Sequence, residues 1–283
     1  MGEGISDWSR FERLTPFRVR DVLLVASHFD HYLLEESGYL AEIMQEEYSD
    51  LNLSQAPRII HSPDARDALG LLRTREFDLV ITMTRVGEMD VKAFGTEAKR
   101  IVEGLPVVML SHNTRELATL SAGEGIDRIF VWTGDSRILL SICKLIEDER
   151  NVENDVRDGD VQVILLIEDS RRFYSMYLPL LYRQLVEQTT RLMGEGGNLH
   201  QKLLRLRARG KILLASDMNS AKSIIDRYHN NIIGIFTDGK FPNQGGQRDT
   251  AGLELVRYAQ EGHRYMPILF QSKNIELKED AEA

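Results

Sequence analysis

Short apolar segments recur along this chain with room for one helix between neighbours, and this alternation restricts its fold more than any other feature. The first half has five segments rich in Val, Ile, Leu and Phe, at residues 22–27, 58–61, 77–83, 105–111 and 128–132. The intervening residues 64–75 and 91–103 carry apolar side chains at helical spacing. Strands that alternate with helices predict a doubly wound, parallel α/β sheet.

In the second half, three apolar segments end in residues that can carry chemistry. Glu168 and Asp169 follow one segment, Asp238 ends the next, and Ser272 follows the last. Because parallel sheets bind ligands outside the carboxyl ends of their strands, these side chains are expected to form one site. Three carboxylates there favour a hard cation such as Mg²⁺ over zinc, which prefers His or Cys. Such a site suits phosphoryl transfer, which needs a positioned nucleophile and neutralised charge.

Three motifs carry a resemblance to a known family. They are Ile-Glu-Asp at 167–169, Thr-Asp-Gly-Lys-Phe-Pro at 237–242 and Pro-Ile-Leu-Phe-Gln-Ser at 267–272. Together they resemble the CheY-like receiver domain of bacterial two-component response regulators. The resemblance implies an α/β fold with two tandem flavodoxin-like sheets, each doubly wound and parallel.

The family's site residues can be carried over to matching positions. The resemblance implies that Glu168, Asp169 and Asp238 bind Mg²⁺. It makes Asp238 the phosphoacceptor, which takes a phosphoryl group from a histidine kinase or a phosphotransfer protein, and Ser272 the switch hydroxyl. It also implies a phosphoprotein that signals and is not an enzyme, beyond self-catalysed phosphotransfer and dephosphorylation. Because the sequence has no apolar run or leader, the cytoplasm is the expected location.

Residues 18–150 resemble a degenerate receiver. Ala26 and Ser27 stand where the acid pair is expected, Met83 replaces the phosphoacceptor, and Trp132 stands near the expected lysine, while Ser111 retains the switch hydroxyl. Methionine cannot accept a phosphoryl group, and Ala-Ser cannot hold Mg²⁺. We therefore expect this pseudo-receiver to act through its surfaces, in protein interaction or dimerisation.

Residues 160–283 are expected to form the second receiver. The chain ends eleven residues after Ser272, which leaves no room for the family's fifth strand and its lysine. This predicts a C-terminal truncation, with helix-forming residues at 273–283. The whole chain also resembles the N-terminal region of bacterial proteins in which paired receiver-like domains precede a phosphoenolpyruvate-synthase-type domain. That likeness implies an output domain outside this chain.

About forty residues separate the first two strands of the second half, roughly twice what a plain receiver needs. Apolar residues at helical spacing predict a long helix from about 173 to 192, a turn at Gly194–Gly197, and another helix near 199–206. These helices either pack on their own sheet or dock the first domain or a second copy of the chain, which would make a homodimer. The domain boundary is expected within residues 147–160, where apolar periodicity gives way to charge, with a break at Gly159.

Composition limits the partners. A net charge of −9 argues against nucleic acid, and no apolar run or leader indicates a membrane. Cys143 lies at helical spacing among apolar residues and is predicted to be a packed core thiol. His28 and His31 are predicted to be surface residues. The cations at 202–211 are expected to be solvated at a helix end, with an acidic partner as the alternative.

The sequence therefore predicts a response regulator of a phosphorelay. One alternative is a scaffold in which both domains are inert and only their surfaces act. Another is a small-molecule enzyme that uses the same carboxylate and metal pocket.

Overall fold

The computed structural model describes residues 12–36, 56–112, 122–123, 125–135, 137–192, 208–243, 250–262 and 266–272. The strands are β1 (Asp21–Val25), β2 (Arg58–Ser62), β3 (Leu79–Met83), β4 (Val107–Ser111), β5 (Arg128–Val131), β6 (Val163–Ile167), β7 (Lys211–Ala215), β8 (Ile232–Asp238) and β9 (Ile268–Gln271). The helices are α1 (His28–Glu36), α2 (Ala65–Thr74), α3 (Val91–Ile101), α4 (Arg137–Gly159), α5 (Arg171–Leu192), α6 (Met218–Tyr228) and α7 (Ala251–Gly262).

The strands form two parallel sheets. The first has the order β2-β1-β3-β4-β5, and the second has the order β7-β6-β8-β9. The first order is the flavodoxin-like arrangement, and the second repeats its first four positions. The predicted α/β class with two parallel sheets is confirmed, while residues 273–283, which were expected to form part of a helix, lie outside the described residues.

The chain divides into two compact units. One contains Phe17–Glu147 together with Ser175–Thr190, and the other contains Met1–Pro16, Asp148–Tyr174 and Arg191–Ala283. Each unit has its own apolar core, which packs the buried faces of its strands against helices. No described helix is both long enough and apolar enough to cross a lipid bilayer.

The helix starts follow directly from local sequence. Asp64 precedes α2 in an extended conformation, and its side chain accepts a hydrogen bond from the Asp67 N–H. Asp217 does the same for α6, accepting from the Ser220 N–H. Aspartate at this position satisfies a backbone donor that the first helical turn leaves unpaired. The predicted helices at 64–75 and 91–103 are confirmed with small differences at their ends.

The charged segment is helical from residue 147 to Gly159, because α4 runs without interruption from Arg137 to Gly159, and only Asp160 lies outside the helix. Cys143 is 1% exposed in the first half of this helix, which confirms the predicted core thiol. Burial raises the pKa of Cys143 to about 12, so the thiol stays protonated at neutral pH. In the second half of α4 the carboxylates of Asp148 and Asp155 are buried as well.

The buried carboxylates of α4 pair with cations that start the second sheet. Arg209 donates from both terminal nitrogens to Asp148, at 3.0 and 2.8 Å, and the Asp148 Oδ2 also accepts the Ile212 N–H at 3.0 Å. The Lys211 Nζ lies 2.7 Å from the Asp155 Oδ2. Burial lowers the pKa of Lys211, and the carboxylates of Asp148 and Asp155 oppose that shift.

This network corrects a prediction from the sequence. Arg209 and Lys211 were expected to be solvated cations at a helix end, but they are only 5% and 1% exposed. The expectation was wrong for both because their partners lie some sixty residues earlier on α4, so sequence proximity gave no indication of the pairing. The other members of the predicted cluster, at 202–207, lie outside the described residues.

Asp155 also holds a segment near the amino terminus. It accepts the Thr15 N–H at 2.8 Å, and the Lys211 Nζ donates to the Thr15 hydroxyl at 3.1 Å. Thr15 has a left-handed φ of 52°, which these contacts stabilise. The adjacent Leu14 is 1% exposed and packs against Gly159, where a Cβ would lie 2.7 Å from the Leu14 Cδ2.

We predict that Asp148→Asn lowers the free energy of unfolding of the unit that contains β6 by about 3–5 kcal/mol, because it leaves Arg209 buried without a counter-charge. Urea denaturation measures this effect. The control is Asp158→Asn, which breaks an exposed pair with Arg157 and should leave the midpoint unchanged. Equal shifts for the two variants would contradict the structural role of the network.

Candidate metal centre

Four predicted site residues meet at one edge of the second sheet. Glu168 and Asp169 follow β6, Asp238 ends β8, and Ser272 follows β9. Because β6, β8 and β9 are parallel neighbours in the sheet, their carboxyl ends lie side by side. Carboxylate oxygens of Glu168, Asp169 and Asp238 lie within 4.8 Å of one another, and among the described residues this is the one such cluster of three possible metal ligands.

Backbone contacts orient two of these carboxylates. Glu168 is 3% exposed, and its Oε1 accepts the Ser170 N–H at 2.9 Å. The Glu168 N–H donates to the Ala215 carbonyl oxygen at 3.0 Å, which anchors the residue to β7. The Asp238 Oδ1 accepts the N–H of the next residue, Gly239, at 2.8 Å. Asp169 and Asp238 are partly exposed, so ligands can reach the cluster from solvent.

The three residues suit a hard divalent cation. All three donors are carboxylate oxygens, with no thiolate or imidazole among them. Mg²⁺ is commonly held by a few carboxylates, with water and phosphate oxygens as its other ligands, whereas zinc favours nitrogen and sulfur. Clustered acids also repel each other, and a cation would relieve this repulsion. The residues therefore fit Mg²⁺, in the roles predicted for Glu168, Asp169 and Asp238.

Two glycines lie behind this cluster, and sequence reasoning did not assign them a role in the site. Gly239 follows Asp238, and a Cβ there would lie 3.1 Å from the Ser272 Oγ. Gly252, in the first turn of α7, donates its N–H to the Gly239 carbonyl oxygen at 3.1 Å. A Cβ on Gly252 would lie only 2.6 Å from the Asp238 carbonyl oxygen. The glycines thus allow β9 and α7 to approach the strand end closely.

The equivalent edge of the first sheet lacks these acids. Val25 pairs with Thr82 in the first sheet, just as Ile167 pairs with Thr237 in the second. The residue after the threonine is Met83 in the first sheet and Asp238 in the second. In both sheets the threonine hydroxyl donates to the carbonyl oxygen of this next residue, at 3.1 Å in the first sheet and 2.9 Å in the second. The register therefore makes Met83, which is 1% exposed, the counterpart of Asp238.

A histidine cluster occupies part of the first sheet's edge. The rings of His31 and His61 are stacked with centroids 3.9 Å apart, and His28 meets His61 edge-on at 5.7 Å. His61 lies within hydrogen-bonding distance of the Ala26 carbonyl oxygen, 2.7 Å from its Nε2. His28 is exposed, as expected for a surface residue, whereas His31 is partly buried. Sequence reasoning missed His61 because β2 brings it to the helix from a distant segment.

Comparisons with known proteins come from solved structures alone, because no family model and no curated protein matches the chain. The signal receiver domain of an HD domain-containing protein from Pseudomonas fluorescens Pf-5 has 21% identity and a TM-score of 0.37, covering 49% of this chain and 94% of that domain. A CheY-like receiver domain protein from Methanospirillum hungatei JF-1 has 18% identity and a TM-score of 0.37, covering 48% and 98%. The chain is similar to receiver domains of response regulators.

A third receiver-domain structure, of the Francisella response regulator 1452, has 14% identity and a TM-score of 0.34. That alignment covers 46% of this chain and 98% of the matched chain. Each of these three matches therefore spans about half of this chain and nearly all of a receiver domain.

We predict that Glu168→Gln and Asp238→Asn each weaken Mg²⁺ binding by about tenfold or more, because each removes one of three anionic ligands. Isothermal titration calorimetry measures the affinity. Glu261→Gln, at an exposed carboxylate on α7, is the control and should bind Mg²⁺ like the parent chain. Unchanged affinity in both site variants would argue against this metal centre.

We also predict that the unit containing β1 becomes less stable as the pH falls below about 6.5, the ordinary pKa of histidine. Burial, then the charge of His61, lowers the pKa of His31 below that value, with His28 adding to the shift and Glu35 opposing it. The unfolded chain then binds the proton more readily than the folded one, so stability is fully present above this pH and declines below it.

Urea unfolding between pH 5 and 8 tests this prediction in the parent chain and in His31→Gln, which should show a shallower pH dependence. The control is His229→Gln, in the other unit. A pH dependence that His31→Gln leaves unchanged would contradict the assignment.

Proposed function

We propose that this chain is a response regulator of a two-component phosphorelay, with Asp238 as the phosphoacceptor. The observation that carries the proposal is the meeting of Glu168, Asp169 and Asp238 within 4.8 Å at the carboxyl edge of a parallel sheet. The Ser272 hydroxyl approaches the residue next to Asp238, as a group that detects a phosphoryl ligand would need to do. The flavodoxin-like strand order supports the same assignment.

The chemical step is a phosphoryl transfer to a carboxylate. An oxygen of Asp238 forms a bond to phosphorus while the bond between phosphorus and the donor breaks, and the donor atom keeps the electron pair and is protonated from solvent. Bound Mg²⁺ would neutralise charge on the transferring group. The Gly239 N–H holds the Asp238 Oδ1 and so restricts rotation of the carboxylate. The donor in this proposal is a histidine kinase or a phosphotransfer protein.

The response follows from the added charge. A phosphoryl group on Asp238 brings new acceptor oxygens to the end of β8, and a hydroxyl on β9 can donate to them. Ser272 would move toward the phosphoryl group and carry the end of β9 with it. A shift in population between two arrangements of this edge would then transmit the signal to a further domain or protein.

The first sheet serves a different role in this proposal. Its counterpart of Asp238 is the buried Met83, so we assign it protein contacts and no phosphoryl chemistry. Two aromatic side chains of α1, Phe29 and Tyr32, are 66% and 58% exposed. Exposed aromatic residues are enriched where proteins meet. A partner of this surface, or a second copy of the chain, would complete the interaction function.

We predict that beryllofluoride with Mg²⁺, an acyl-phosphate mimic, causes saturable amide NMR shifts at Asp238, Ser272 and the first turn of α7. Asp238→Asn should abolish these shifts, because the mimic needs the carboxylate. Asp226→Asn on α6 is the control and should respond like the parent chain. The titration is repeated on a chain extended beyond Ala283 to test the effect of added carboxyl-terminal residues.

An Asp238-dependent response in either length supports the phosphoacceptor role. The absence of such a response in both lengths would overturn it and leave the scaffold hypothesis, in which only surfaces act.

A further inference from the structure

Gly239, the residue after Asp238, has little free space around it. A Cβ there would lie 3.1 Å from the Ser272 Oγ, 3.2 Å from the Ser272 Cβ and 3.2 Å from the Phe270 Cζ. On its other side, the Gly239 carbonyl oxygen accepts the Gly252 N–H at 3.1 Å. Residue 239 is therefore confined between β9 and α7, and a Cβ there would require Ser272 or Phe270 to move by a few tenths of an ångström.

Backbone conformation does not explain the glycine. Gly239 is not among the described glycines with positive φ, so a residue with a Cβ could adopt its backbone without strain. The glycine is instead explained by the lack of room for a side chain at this position. Gly234, within β8, shows the contrast, because a Cβ there would meet only the Pro267 carbonyl oxygen, at 3.8 Å.

The first sheet differs at the equivalent position. Since Met83 is the counterpart of Asp238, Thr84 stands where the second sheet has Gly239. Both sheets have a serine at the carboxyl end of the neighbouring strand, because Ser111 is the last residue of β4 and Ser272 directly follows β9. The first sheet thus accommodates the β-branched side chain of Thr84 at this position, whereas the second sheet has no side chain there.

We propose that Gly239 is a positioning residue that gives the Ser272 hydroxyl its access to a phosphoryl group on Asp238; this inference rests on the proposed function. With a side chain at 239, the Ser272 Oγ must move away from the strand end or Phe270 must shift. The metal ligands Glu168 and Asp169 follow β6, which pairs with β8 on the side opposite β9, whereas the three atoms nearest to a Cβ at residue 239 belong to Ser272 and Phe270. Gly239 therefore acts on recognition of the phosphoryl group and leaves metal binding intact.

Gly239→Ala tests this directly, because alanine keeps the N–H that donates to the Asp238 Oδ1 and the Gln271 carbonyl oxygen. We expect Mg²⁺ affinity like that of the parent chain but beryllofluoride affinity lower by about tenfold or more, the usual loss of a hydrogen bond to a charged group. Gly234→Ala is the matched control and should bind both ligands normally. Calorimetry for Mg²⁺ and NMR for beryllofluoride supply the two measurements.

A double-mutant cycle with Ser272→Ala separates positioning from general damage. If Gly239 acts through the Ser272 hydroxyl, Gly239→Ala should have little further effect on beryllofluoride affinity in the Ser272→Ala background. If Gly239→Ala alone does not fold, the cycle is run with Phe270→Leu in every variant, which relieves the 3.2 Å contact with the Phe270 ring.

The outcomes are distinct. A normal beryllofluoride affinity in Gly239→Ala, or additive effects in the cycle, would overturn the positioning role while leaving the phosphoacceptor in place. Parallel losses of Mg²⁺ and beryllofluoride affinity would also overturn it, since they indicate general distortion. A parent chain without an Asp238-dependent response would overturn the proposed function, and this inference with it.

Discussion

Parallel pairing of β6 with β8 and of β8 with β9 is the constraint on which the candidate site depends. It brings the ends of three strands to one edge of a sheet, although the first and last of these ends, Ile167 and Gln271, are 104 residues apart in sequence. Main-chain hydrogen bonds hold this alignment, so the carboxylates of Glu168, Asp169 and Asp238 meet without a dedicated loop. The mutual repulsion of these acids is offset by the stability of the surrounding sheet, which allows a cation site to exist there.

The ion pairs between α4 and β7 lie at the opposite, amino-terminal end of the same sheet. Asp148 pairs with Arg209 just before β7, and Asp155 pairs with Lys211 at the start of the strand. Buried pairs of this kind add little net stability compared with apolar packing, but an unpaired member is costly. We interpret the network as a means of specifying which part of α4 packs against β7, because any other register would leave a charge buried alone.

The two parallel sheets have similar strand orders but carry different side chains at their carboxyl edges. In both sheets the last residue but one of the third strand is a threonine whose hydroxyl donates to the carbonyl oxygen of the next residue. The fold is thus preserved where the residue changes from Asp238 to Met83. In the first sheet the site edge instead gathers His28, His31 and His61, whose rings are in contact. The two edges therefore carry different side chains on strands that share the same order over their first four positions.

Much of this structure could be predicted from local pattern. Apolar runs predicted the strands, helical spacing predicted α2 and α3, and the polar residues after three runs predicted which side chains would meet, because strand direction determines which ends align. Contacts between distant segments could not be predicted in this way. The burial of Arg209 and Lys211, the stacking of His61 on His31 and the tight space around Gly239 each depend on elements far apart in the chain. The sequence by itself determined the strands, the helix starts and the acids at the site edge, since these depend on neighbouring residues. Only the tertiary structure decided which charges are buried and how closely Ser272 approaches Gly239, since these depend on packing between distant residues.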